Sequence, residues 1–276
     1  MVDIREWSRA DAARFLRVPG EADDKYSRGV VALRTGSPAY PGAAVLGVEA
    51  AWRAGAGFVR YVGEGRAADA VLARRPETVA GPDTGRSRIG AWVIGSGTDA
   101  MHRSTVEAAA LREILAGTTP VVVDAGALDL APGATAPLLL TPHAGEFARL
   151  RELLELPATG DRAADAERAA AELGATVLLK GARTLIAAPA GGVIEVAAGT
   201  GWLATAGTGD VLAGILGALV AANPDAPLAE VAASGAWLHG SAARLAAGAV
   251  DGAPGHPIVA LDVAEALPHA IAELLP

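Results

Sequence analysis

The chain contains no cysteine, so it carries no disulfide, no thiolate metal ligand and no cysteine nucleophile. Lysine is almost as scarce: of 23 basic residues only Lys25 and Lys180 are lysines, and no basic cluster interrupts a net charge of -8. That balance disfavours nucleic acid and other polyanions as partners. No apolar stretch of about 18 residues is present to cross a membrane. The opening Met1-Val2-Asp3-Ile4-Arg5-Glu6-Trp7 is charged and lacks the apolar core of a leader. A cytoplasmic protein with no membrane partner is expected. Paired histidine spacing is also missing: positions 102, 143, 239, 256 and 269 are too scattered for a permanent zinc site. No Pro/Ser-rich linker divides the 276 residues, which are 51% hydrophobic and sufficient for one core. Residues 1–276 therefore read as a single α/β domain.

What is present alternates. Strand-like runs at 30–33, 58–62, 91–94, 120–123, 138–140, 176–179 and 184–187 are mostly separated by helical patterns, among them 7–18, 101–116 and 161–173. Pro41 opens a further helix that Gly55 or Gly57 closes. This alternation predicts a mostly parallel sheet covered by helices. From Asp210 onward the chain reads as chiefly helical, with further helices at 228–247 and 261–275.

Ligands of parallel sheets gather at the C-terminal strand ends. Four turns there are chemically loaded: Gly95-Ser96-Gly97-Thr98-Asp99-Ala100, Asp124-Ala125-Gly126, Thr141-Pro142-His143-Ala144-Gly145-Glu146 and Lys180-Gly181-Ala182-Arg183-Thr184. The first satisfies a relaxed dinucleotide fingerprint, with a strand before it and a helix expected after it, which keeps an NAD-linked dehydrogenase open. The acidic residue expected about 20 positions later falls at no strand end.

A fifth turn, Thr205-Ala206-Gly207-Thr208-Gly209-Asp210, precedes an apolar helix running to Ala222. Two glycines free several backbone N–H groups to converge, and the helix dipole adds positive potential, so the turn suits an anion. Asp210 beside it has two readings: a base that takes a proton from a nucleophile attacking a held phosphoryl group, or a helix cap. The small residues Gly209, Ala213, Gly217 and Ala221 share one helix face, open either to a ligand or to tight packing.

Together these turns resemble the ADP/ATP-dependent NAD(P)H-hydrate dehydratase family, a branch of the ribokinase-like fold. The similarity runs from Asp24-Lys25-Tyr26-Ser27-Arg28-Gly29 through Pro41-Gly42-Ala43-Ala44, Thr141 to Phe147 and Lys180-Gly181 to Ala206 to Gly214. Gly-Thr-Gly-Asp marks the fold, and the Thr-Pro-His-x-Gly-Glu run narrows it to the dehydratase. The resemblance implies metabolite repair: ADP or ATP phosphorylates the 6-hydroxyl of NAD(P)HX, phosphate leaves, and NAD(P)H is restored. It makes Asp210 the base and Gly207, Thr208 and Gly209 the anion hole. It assigns Ala43, Gly97, His143 and Asp210 to the hydrate, and Lys180, Gly181, Ala182, Arg183, Thr184 and Gly209 to the nucleotide. Glu146 matches a position that helps place Mg²⁺ in related kinases. A homotetramer and a functional link to a separately encoded NAD(P)HX epimerase are also implied, since the length agrees with the stand-alone form. Two positions depart from the pattern: Asp24 replaces a histidine, and Gly126 replaces a second aspartate. The alternatives are a ribokinase-like kinase of a small alcohol or vitamin precursor, the dehydrogenase above, and a nucleotide sensor without turnover.

Overall fold

The computed structural model describes residues 2–275. Its first half contains β1 (Ile4–Glu6), α1 (Arg9–Ala13), β2 (Val30–Arg34), α2 (Pro41–Arg53), β3 (Phe58–Val62), α3 (Gly65–Arg74), β4 (Val79–Gly81), β5 (Ala91–Ile94) and α4 (Thr105–Leu115). The second half contains β6 (Val121–Val123), β7 (Leu138–Leu140), α5 (Ala144–Leu153), α6 (Arg162–Leu173), β8 (Thr176–Leu179), β9 (Thr184–Ala187), β10 (Val193–Val196), α7 (Thr208–Ala222), α8 (Leu228–Ala246) and α9 (Ala260–Leu274). The strands form one sheet in the order β1-β10-β9-β8-β7-β6-β5-β2-β3-β4. Every pairing is parallel except those of β9, which runs antiparallel to β8 and β10.

The central strands are apolar on both faces, as buried parallel strands are: Val121-Val122-Val123 and Leu138-Leu139-Leu140 are buried throughout. Because successive side chains point to opposite faces, each strand feeds two cores. Val31, Leu33, Val93, Val122, Leu139 and Leu178 pack with residues of α2, α7, α8 and α9. Ile94, Val121, Val123, Leu138, Leu140 and Val177 pack with residues of α4, α5 and α6 on the other side. The result is the expected α/β architecture with helices on both faces of a mostly parallel sheet.

Three local expectations change. The segment 7–18 is helical only over Arg9–Ala13, where a Ser8–Asp11 capping box starts it. After Ala13 the chain turns so that buried Phe15 stacks on Trp7, with ring centroids 6.2 Å apart, while Val18 is 65% exposed. Pro19 then keeps a helix from resuming. Residues 101–116 split: a 3₁₀ turn covers Ala100–His102, and Ser104 caps the α-helix that begins at Thr105. The edge strands β1 and β4 carry no alternating apolar signal because they are largely exposed, and β10 fills the gap between β1 and β9.

The small-residue face of α7 serves packing. A Cβ on Gly217 would lie 2.3 Å from Val93 Cγ2 and 2.9 Å from Val31 Cγ2, so the helix lies against the sheet at backbone distance. Only Gly209, at the start of that face, looks out over the strand ends.

Candidate active site

Four strand ends and one helix start converge. Gly207 caps α7 at φ +88, a left-handed conformation that only glycine takes without strain. A side chain would also collide there, with its Cβ 2.6 Å from Leu46 Cδ1. The Thr208 hydroxyl reaches the carbonyls of Leu203 and Thr205, each at 3.0 Å, and ties the turn to the helix. No side chain caps α7, so its first N–H groups and its dipole remain for a ligand. The cap reading of Asp210 is therefore not realised.

Asp210 sits half-buried at the third position of α7. Burial pushes its carboxyl up to about 6, the nearby Asp124 charge adds to the rise, and Lys180 opposes it. A carboxylate of that basicity is ionised at neutral pH and still able to take a proton.

Lys180 comes directly after β8, and its ammonium donates to Asp124 Oδ1 at 2.9 Å while lying 3.8 Å from Glu146 Oε2. It stands over the glycine turn that starts α7, 3.4 Å from where a Cβ on Gly209 would be. Asp124, at the end of β6, is 3% exposed. Ser96 Oγ donates to its Oδ2 at 2.9 Å and Thr141 Oγ1 to its Oδ1 at 2.8 Å. Ala125 beside it adopts φ +44, which a residue with a Cβ rarely does.

The Gly95–Ala100 turn serves this junction. A Cβ on Gly95 would be 2.1 Å from the Asp124 carbonyl, and one on Gly97, at φ +68, would be 2.3 Å from Ala43 Cβ. Ala43 and Gly97 are thus brought together. The dinucleotide fingerprint fails, because the turn leads into the 3₁₀ segment Ala100–His102 and does not open an α-helix. Gly126 is equally constrained, since a Cβ there would lie 2.3 Å from the Thr98 carbonyl. The other departure, Asp24, accepts from the N–H groups of Tyr26 and Ser27 at 2.8 Å and shapes its own loop.

His143 is exposed and caps α5. Its Nδ1 accepts from the N–H groups of Gly145 and Glu146 at 3.0 and 3.3 Å. Glu146 returns the bond, accepting from the His143 N–H at 2.8 Å. The imidazole Nε2 lies 3.4 Å from Glu146 Oε1, at the rim of the site.

A cavity of about 430 Å³ runs from Lys180 and Gly209 past Gly181, Ala182 and Thr184. Arg183 is not part of its wall: the guanidinium is paired with Glu195 on the outer side. Two groups on or beside this cavity take their surroundings only from the fold. His239, in the middle of α8, lines the cavity and is 8% exposed with Nε2 unpartnered. Burial pushes its imidazole down to about 4, with the Lys180 charge acting in the same direction and a hydrogen bond to the Thr208 backbone opposing, so it is neutral. Asp124 was visible only as an acid at a strand end; its partners come from three other strands. A second cavity of about 870 Å³ opens beside the site, at the ends of β2, β3 and β5, with Gly36, Tyr40, Tyr61, Arg66 and Thr98 in its wall.

The family model described as NAD(P)H-hydrate dehydratase matches residues 31–253. The chain belongs to the NAD(P)H-hydrate dehydratase family. Its relatives include the ADP-dependent (S)-NAD(P)H-hydrate dehydratase of Neisseria meningitidis, 38% identical over 254 residues that cover 84% of this chain and 83% of that one. It is also 44% identical over 261 residues to the bifunctional NAD(P)H-hydrate repair enzyme of Mycobacterium leprae, covering 92% of this chain and 53% of that protein. The chain spans about half the length of such bifunctional relatives. Among solved structures, the ADP/ATP-dependent NAD(P)H-hydrate dehydratase of Bacillus subtilis, co-crystallised with ATP/Mg²⁺, superposes with a TM-score of 0.85 at 27% identity, over 99% of this chain and 100% of that one. The ribokinase-like architecture of the family is shown as well.

Proposed function

We propose that this family member dehydrates (6S)-NAD(P)HX to NAD(P)H at the expense of ADP or ATP, as a metabolite-repair lyase. The observation that carries the reading is the seat of Asp210, a half-buried, basic carboxylate at the uncapped start of α7 with the Lys180 ammonium across the turn. Hydroxide is a poor leaving group and phosphate a good one. Asp210 takes the proton of the 6-hydroxyl as its oxygen bonds to the terminal phosphorus of the nucleotide, and the bond to the bridging oxygen breaks. The N–H groups at Gly207–Asp210 and the Lys180 ammonium stabilise the charge on the moving phosphoryl group. The ring nitrogen then pushes phosphate off C6, and loss of a proton from C5 restores the double bond.

The cavity of about 430 Å³ between Lys180 and His239 suits the nucleotide. Ala43 and Gly97 wall the hydrate, with His143 at the rim. The larger cavity takes the remainder of the dinucleotide, because Gly97 packs on Gly36 and Tyr40 in its wall. Magnesium would neutralise phosphate charge when bound. The residues do not fit a protein-held ion: no group of three or more His, Cys, Asp or Glu is gathered for one among the described residues, and Glu146 already serves His143 and Lys180. Phosphate oxygens and water are its fitting ligands. No helix among the described residues is long and apolar enough to cross a membrane. A homotetramer and cooperation with a separately encoded NAD(P)HX epimerase belong to the same reading.

The test is recovery of reduced-nicotinamide absorbance from prepared NADHX with Mg²⁺ and either ADP or ATP. Nucleotide-dependent recovery supports the dehydratase. A retained phosphorylated product would instead make the chain a small-alcohol kinase, and nucleotide binding without any NADH would sink the assignment. Gly97→Ala should raise KM for the hydrate by about tenfold or more, since misplacements of about 1 Å cost up to about 10²-fold, and leave ADP affinity unchanged. Calorimetric titration with ADP beside the absorbance assay checks both halves of that statement.

A further inference from the structure

The ammonium of Lys180 occupies a place of a particular kind. It lies between two carboxylates from different elements, 2.9 Å from Asp124 Oδ1 and 3.8 Å from Glu146 Oε2. Each carboxylate is fixed by neutral donors of its own: Ser96 and Thr141 hold Asp124, and the His143 N–H holds Glu146. Those donors aim the carboxylates without neutralising them. Buried and half-buried acids aimed at one point demand a cation there. The remaining groups around it do not supply one, since Asp210 is a third acid and His239 is neutral.

A hard divalent ion would seek the same point. Magnesium binds carboxylate oxygen at about 2.0–2.1 Å, closer than any ammonium, and could enter only by displacing Lys180. We propose that Lys180 is the resident cation of this site: its ammonium fills the place between Asp124 and Glu146, so the chain itself holds no divalent ion there and magnesium arrives only on the phosphates of the nucleotide. Glu146 is then a partner of Lys180 and not a metal ligand. The charge balance agrees. Asp124 and Glu146 face one ammonium and Asp210 adds a further negative charge nearby, a surplus that would repel a bare nucleotide and admit one already neutralised by its own metal.

The test uses Mn²⁺ as a paramagnetic probe with the full chain and no nucleotide, so its outcome does not depend on the reaction proposed above. Titration followed by electron paramagnetic resonance should show no Mn²⁺ site in the wild-type chain or in Lys180→Arg. Lys180→Ala should acquire one site per chain, with affinity raised about tenfold or more over wild type. Asp124→Asn or Glu146→Gln in the Lys180→Ala background should abolish it. Should Lys180→Ala be too unstable to titrate, Mn²⁺ should raise its unfolding temperature and leave that of the wild type where it was. A wild-type Mn²⁺ site that Glu146→Gln removes would overturn the proposal, as would Lys180→Ala that folds and gains no site.

Discussion

Asp210→Asn is expected to lower turnover of NAD(P)HX by about 10²–10⁴-fold, the span typical of losing a positioned acid or base. Nucleotide affinity should stay the same or tighten, because the substitution removes a negative charge from beside the phosphates. Asparagine keeps the shape of the side chain, so the turn around Gly207 and the hydroxyl contacts of Thr208 are undisturbed. The pH profile identifies the group. With the carboxyl pushed up to about 6, first by burial and then by Asp124, wild-type kcat/KM should fall as pH drops through that value, since the protonated carboxyl is too weak a base to take the hydroxyl proton. Above it the base is ionised and the acidic limb levels off. The variant should show a low rate without that limb. A full-size acidic limb retained by Asp210→Asn would assign the base to another residue.

Much of this was readable from short stretches of chain. The apolar runs of β6, β7 and β8 announce buried parallel strands without any tertiary information, and the glycine spacing before α7 marks a tight turn at a helix start. Ala43 and Gly97, assigned together by the resemblance, are in contact, and Lys180 lines a cavity with Gly181, Ala182, Thr184 and Gly209. What the sequence withheld is tertiary. Asp124 is ordinary until Ser96, Thr141 and Lys180, each from a different strand end, close around it. His239 is one of several polar residues of α8, with Glu230, Ser234, Ser241 and Arg244, and only the packing of α8 beside Thr208 turns it toward the cavity. Arg183 lies in the turn that the resemblance gives to the nucleotide, and only the fold shows that its guanidinium is paired with Glu195. The helical periodicity over 101–116 is broken because Asp99 caps a 3₁₀ turn at Ala100–His102 and Ser104 caps a separate helix, with Arg103 extended between them.

A second large effect is expected far from the chemistry. Glu49 on α2 is fully buried and bound by Arg53, Arg74 and Arg75. Arg74 continues to Glu265 on α9 and Arg75 to Glu77, so one carboxylate fastens α2 to α3 and α9. The other end of α2 carries Ala43, so this network fixes the helix on which Ala43 sits. Burial alone would raise the Glu49 pKa, yet the hydrogen bonds from Arg75, Arg53 and Arg74 outweigh it and hold the group at about 2, against 4.5 for an ordinary glutamate. Glu49→Gln leaves three guanidinium groups around a neutral amide. Breaking a buried pair in this way costs about 3–5 kcal/mol, a large share of the roughly 5–15 kcal/mol that holds a domain folded. The unfolding temperature should drop by about 10 °C. The sign with pH comes from the lowered pKa: the carboxylate contributes its full stability above 4.5 and loses it as the pH falls toward about 2. Thermal unfolding measured by circular dichroism should therefore show a wide gap between wild type and variant at neutral pH that closes across that acidic window. A gap that stays constant down to pH 2 would mean that the carboxylate charge is not what binds α2 in place. Where both proteins are folded, kcat should be the same, which separates this anchor from the work of Asp210.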